Sequence, residues 1–201
     1  KGRVKDEEAA AYAGEGRTFI RSWRKPSFVS HSMEGKAYGN AIHAVMQYIR
    51  YENCSSPDGV QQEIIRLSAE NYISRQQADA VDCQAIAAFF QQDIGKKLCA
   101  GAKCLREFKF SILDDGTNYL PDLSGEQVLL QGVIDCAILE EDGITILDFK
   151  TDRVTASSAS VAAERYRIQI ETYADALSRI YEMPVKAKYL YFFSINTLWE
   201  L

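Results

Sequence analysis

The sequence predicts an α/β domain: a mixed central sheet flanked by helices, with an N-terminal helical part. Three observations predict it. Residues 39–98 carry apolar side chains at helical spacing, residues 105–150 switch to alternation with turn signals between the runs, and a helical run over 159–181 precedes another strand-like stretch at 185–194. A helix between two strands returns the chain to one sheet, so a three-strand meander, a crossover helix and a further strand are expected.

The elements follow in order. Residues 1–22 read as a lead-in or linker, with Glu7-Glu8-Ala9-Ala10-Ala11 a helical candidate. Asn40 reads as the cap of a helix whose buried stripe is Ile42, Val45, Met46 and Ile49, which sets His43 in its first turn. Cys54-Ser55-Ser56-Pro57-Asp58-Gly59 is a loop by its turn residues, and 60–70 and 76–98 read as helices, the second burying Ile86, Phe89, Phe90 and Ile94. In 105–112 the period becomes two, with Phe108, Phe110 and Ile112 on one face and Glu107, Lys109 and Ser111 on the other. Strands at 128–139 and 144–150 are joined through Glu140-Glu141-Asp142-Gly143, a hairpin signal.

With 201 residues, 47% of them hydrophobic, the chain can bury one substantial core, and a single domain is expected, with a helical part at 39–98 and an α/β core at 105–194. The chain starts without Met and has no leader-like apolar run, so a piece of a longer protein is expected. No apolar stretch approaches the roughly 20 residues of a membrane span, so no membrane role is expected. Five cysteines, Cys54, Cys83, Cys99, Cys104 and Cys136, form no C-x-x-C pair; free thiols in a reducing cytoplasm are expected, and zinc at Cys99 and Cys104 is disfavoured. A net charge of −5 argues against a broad basic face for nucleic acid, although Arg17, Arg21, Arg24 and Lys25, and Lys96, Lys97, Lys103, Arg106 and Lys109, are local basic groups.

The chemistry is expected around 148–150. Alternation puts Asp148 and Lys150 on one face, two residues apart. If the hairpin closes through Asp142-Gly143, position 135 falls opposite 150; if it closes through a four-residue loop, 135 falls opposite 148, and both registers bring Asp135 to the same face. Two carboxylates and a lysine gathered there are costly without compensation, which a hard divalent cation, Mg²⁺ or Mn²⁺, would supply. The alternative is an ordinary Asp148–Lys150 ion pair on a solvated face.

Three segments in order carry a family resemblance. Gly132-Val133-Ile134-Asp135 with Asp148-Phe149-Lys150-Thr151-Asp152-Arg153-Val154, Gly39-Asn40-Ala41-Ile42-His43 upstream, and Gln169-Ile170-Glu171-Thr172-Tyr173 downstream resemble the motifs of the RecB-like branch of the PD-(D/E)XK nuclease superfamily. The wording around His43, Arg106 and Lys150 is most similar to the nuclease domains of AddAB-type bacterial helicase–nucleases.

That resemblance implies a restriction-endonuclease-like core and a DNA nuclease using Mg²⁺ or Mn²⁺. It implies Asp135 and Asp148 as metal ligands, the carbonyl of Phe149 as a further oxygen, His43 completing the shell and Lys150 as the catalytic lysine. Gln169 and Tyr173 form with Tyr166 a stripe that either orients DNA or the lysine or packs the core, and Glu107 is a supporting residue or an ion-pair partner. Single-stranded DNA with a 3′ end, exposed by an attached ATP-dependent helicase, is the implied substrate, an AddB-like protein the implied partner and recombinational repair the implied process. No Walker-type loop occurs, so ATP belongs to other parts of such a protein. No cysteine follows Cys136, so the iron–sulfur cluster of some relatives is not expected. Two other readings are an inactive DNA-binding or assembly platform and a phage-type exonuclease of the same superfamily.

Overall fold

The computed structural model describes residues 19–23, 33–118 and 121–201. The helical candidate at Glu7–Ala11 and the basic residues Arg17, Arg24 and Lys25 lie outside them. Two compact units are present, 1–25 with 109–133 and 26–108 with 134–201. In the smaller unit, strand β1 (Phe19–Trp23) runs parallel to the first half of β3 (Gln127–Glu140), from Phe19↔Val128 to Trp23↔Gly132. Sequence reading did not foresee β1, part of which falls within the expected lead-in. Strand β2 (Cys104–Asp115) pairs with β3, and its outer half buries Phe110 between the exposed Lys109 and Ser111.

The larger unit is built on a mixed sheet. The second half of β3 is antiparallel to β4 (Gly143–Lys150), β4 is parallel to β5 (Val185–Phe192), and β5 is antiparallel to β6 (Thr197–Glu200). Helix α6 (Ala159–Tyr181) makes the crossover from β4 to β5 and packs on both, as the element order predicts. The β5–β6 hairpin was not foreseen; its turn uses Asn196 at φ 48°, a left-handed conformation that Asn tolerates.

Helices α1 (Met33–Tyr48), α2 (Pro57–Ala69), α3 (Arg75–Ala80), α4 (Cys83–Gln91) and α5 (Asp93–Cys99) lie between β1 and β2 in the chain. The single helix expected over 76–98 is thus three. Asp82 and Gln92 adopt extended backbone, and the Asp82 side chain accepts from the N–H groups of Gln84 and Ala85, capping α4 where the apolar periodicity alone runs on. A second correction concerns His43: α1 begins at Met33, so Asn40 is no cap and His43 lies well inside the helix.

These helices and one face of the sheet share a core. Ile42, Val45 and Met46 of α1, Ile49 just beyond it, and Phe89 and Phe90 of α4 pack with Cys136, Ile138, Leu147, Phe149, Tyr191 and Phe193. Ring centroids of Phe89 lie 5.3 Å from Phe149 and 4.9 Å from Tyr191, edge to face. Helix α6 covers β4 on the other side, so every residue of β4 is buried.

Candidate active site

Burial of both faces of β4 removes the solvated-face reading of its charged pair. Asp148 is 0% exposed and Lys150 4%, so their 2.6 Å ion pair lies beneath α6 and is not a solvated surface pair. A buried pair of this kind persists only when further polar contacts offset its desolvation. Lys150 has them: its ammonium donates to Gln169 Oε1 at 3.2 Å and sits 3.6 Å from the ring centroid of Tyr166. Gln169 Nε2 in turn donates to the Tyr173 hydroxyl at 2.6 Å, and the Tyr166 hydroxyl donates to Asp152 Oδ2 at 2.7 Å. Positions 166, 169 and 173 lie at helical spacing on the buried face of α6, so one helix supplies all three.

The hairpin register brings in Asp135. Pairing runs from Glu140↔Gly143 to Cys136↔Leu147, and the next step of that register sets Asp135 beside Asp148. This is the register expected for the four-residue loop, although Glu140 and Gly143 themselves pair and the turn is the two residues Glu141 and Asp142. Gly143 permits it, since a Cβ there would stand 2.7 Å from the Pro184 carbonyl oxygen. Asp135 is 3% exposed, and its Oδ2 accepts the Phe149 N–H at 2.8 Å, which fixes the carboxylate against β4.

Helix α1 and strand β2 bring the remaining groups. His43 Nδ1 lies 3.3 Å from Asp135 Oδ2 and 3.8 Å from Glu107 Oε1. Gly39 lets α1 approach: a Cβ there would meet Thr151 Oγ1 at 2.9 Å, so the glycine of the Gly39-Asn40-Ala41-Ile42-His43 segment fits α1 against the chain just beyond Lys150. Glu107 has φ 46°, a left-handed conformation inside a strand that costs a non-glycine residue roughly 1–2 kcal/mol. Strict alternation along β2, as expected from the sequence, therefore fails at this residue.

Donor atoms of His43, Glu107 and Asp135 all lie within 4.8 Å of one another. One imidazole nitrogen and two carboxylates are hard to borderline donors, a set that suits a divalent cation such as Mg²⁺ or Mn²⁺. The structure thus brings together His43 and Asp135 as the sequence anticipates, and adds Glu107, to which sequence reading gave only a supporting place. Asp148 lies beside the cluster in its pair with Lys150, and Phe149 meets Asp135 through its N–H. Asp152 was missed as a side chain that matters, although it stands in the Lys150-Thr151-Asp152-Arg153 segment; nothing in its spacing marks it.

Several titratable groups answer to this environment. Burial, followed by the Asp148 charge, pushes the Tyr173 hydroxyl well above its ordinary value. For Tyr166, burial and the hydrogen bond to Asp152 do the same, so both phenols stay protonated donors or acceptors. Of the basic groups noted in the sequence, Arg106 stacks 3.4 Å over the Tyr51 ring and Lys97 pairs with Glu140 at 2.7 Å, which commits both to the fold. All five cysteines are free thiols.

Residues 16–197 match the PD-(D/E)XK nuclease superfamily, and the chain belongs to that superfamily. Among particular proteins, it is similar to the A subunit of the ATP-dependent helicase/nuclease from Bacillus cereus (strain AH820), at 34% identity over 91% of this chain and 16% of that protein. The protein of the same name from Bacillus thuringiensis subsp. konkukian (strain 97-27) is 34% identical, and that of Bacillus cytotoxicus (strain DSM 22905 / CIP 110041 / 391-98 / NVH 391-98) 32%, with the same coverage. The chain therefore spans 16% of the length of these curated relatives. Among the described residues, no helix is long and apolar enough to cross a membrane.

Proposed function

We propose that this chain is the nuclease domain of an AddA-type helicase–nuclease, a Mg²⁺- or Mn²⁺-dependent deoxyribonuclease acting in double-strand-break processing for recombinational repair. The observation that supports it most is the adjacency of the His43–Glu107–Asp135 donor cluster to the buried Asp148–Lys150 pair. A bound divalent cation would supply polarisation of a phosphodiester oxygen and a more acidic water. His43, Glu107 and Asp135 would hold it, with Asp148 and the carbonyl of Phe149 as neighbouring oxygen ligands. Lys150 places its ammonium where negative charge grows on the phosphate, and Gln169 orients that ammonium while Tyr173 holds Gln169.

On this reading the substrate is single-stranded DNA, the 3′-ended strand delivered by an attached ATP-dependent motor, and the assembly is cytoplasmic with an AddB-like partner. The residues ahead of β1 link to that motor, 39–98 carry the histidine, and 105–194 form the catalytic core of one nuclease domain without an iron–sulfur cluster. Net charge of −5 fits a domain that borrows much of its DNA affinity from attached parts. The test is cleavage of end-labelled single-stranded DNA with Mg²⁺, Mn²⁺ or EDTA. Metal-dependent cutting lost in Asp135→Ala, Asp148→Ala and Lys150→Ala is expected; cutting that persists in all three would place the reaction elsewhere.

A further inference from the structure

We propose that Asp152 and Tyr166 form a latch that positions Lys150, a role that rests on Lys150 serving the cleavage reaction. Three groups surround the Lys150 ammonium: Asp148 Oδ2 at 2.6 Å, Gln169 Oε1 at 3.2 Å and the Tyr166 ring at 3.6 Å. Gln169 is held by Tyr173 at 2.6 Å. The Tyr166 ring is held by its hydroxyl, which donates to Asp152 Oδ2 at 2.7 Å.

Asp152 lies two residues beyond Lys150, where β4 has ended, and is half-exposed, whereas Tyr166 is 7% exposed. The contacts therefore close a ring: Lys150, the backbone to Asp152, the Asp152 carboxylate, the Tyr166 phenol and the ammonium again. An aromatic face attracts a cation without directing it, because the ring quadrupole offers no lone pair to aim at. A ring free to tilt would leave the ammonium to Asp148 and Gln169, with no wall on its third side. With its hydroxyl fixed to Asp152, the ring becomes a wall that holds the ammonium on the Gln169 side of the Asp148 carboxylate. Asp152 is thus a positioning residue acting through Tyr166. Neither contributes an atom to the reaction.

Tyr166→Phe keeps the ring and removes the latch, Asp152→Ala removes the acceptor, and Asp152→Asn keeps an oxygen that can accept from the phenol. In single-stranded DNA cleavage, Tyr166→Phe and Asp152→Ala each lower kcat about fivefold, in line with one net hydrogen bond, with KM unchanged. The double variant loses no more than either single one, and Asp152→Asn retains most activity. A second readout uses neither metal nor DNA: acylation of the Lys150 amine, followed by peptide mass mapping in EDTA, is faster in Tyr166→Phe and Asp152→Ala, with surface lysines as internal reference.

Losses that multiply in the double variant, a defect confined to KM, or an unchanged Lys150 acylation rate overturn the latch. Full cutting by Lys150→Ala would instead overturn the nuclease reading of the site; the acylation result still decides whether the latch holds the amine.

Discussion

Glu107 is the residue at which fold and function pull in opposite directions. Its φ of 46° is a conformation that glycine adopts freely, yet the position holds a carboxylate that faces His43 at 3.8 Å. Replacing it by glycine relieves backbone strain and removes a proposed metal ligand together. Glu107→Gly is expected to leave thermal stability within about 1 kcal/mol of wild type or above it, while Mn²⁺ affinity, measured by calorimetry, falls at least tenfold. Unchanged Mn²⁺ affinity would remove Glu107 from the ligand set. The sequence places Glu107 on the polar face of its strand, but a left-handed residue inside a strand leaves no mark in the apolar pattern. Its rank among the donors therefore required the backbone. Asp135 was legible, because the period of two and either even hairpin register lead to the same face. Burial of Asp148 and Lys150 was not: alternation reads as a half-buried strand, and α6 returning over β4 is a tertiary event.

Among the elements, α2 is fastened to the turn before it by one buried acid. Glu63, 4% exposed, accepts from the Arg50 N–H at 2.9 Å, from Asn53 Nδ2 at 2.9 Å and from Arg66 Nη2 at 2.6 Å. Burial alone would raise its pKa, but these donors outweigh that and lower it from 4.5 to about 2. A depressed folded-state value stabilises the protein above the unfolded value near 4.5 and is lost as pH falls toward about 2. Glu63→Gln is expected to cost about 2–3 kcal/mol at neutral pH. That difference should narrow in urea titrations as pH drops from about 5 to about 2; a pH-independent difference would show that the charge is not what fastens α2. Helix existence was legible here from the apolar spacing. Helix breaks were not, because Asp82 acts through hydrogen bonds to the backbone that follows it, which apolar periodicity does not register.

For the molecule as a whole, the consequential feature is that β4 is covered on both sides, by the α1–α5 core through Phe149 and by α6 through Lys150. Backbone amides on such a strand open to solvent only when the surrounding core opens. The Phe149 amide, bound to Asp135 at 2.8 Å, is therefore expected among the slowest to exchange with deuterium, and exchange there well ahead of the α6 and β5 amides would contradict this arrangement. The same covering bears on how the domain endures force and heat. On the proposed function the domain is mounted on a motor and would be tugged each time the strand advances, and an exposed loop carrying its reactive groups would deform with every pull. Here Asp135, Asp148 and Lys150 share the fate of the innermost strand, so cutting should cease only when the fold itself fails.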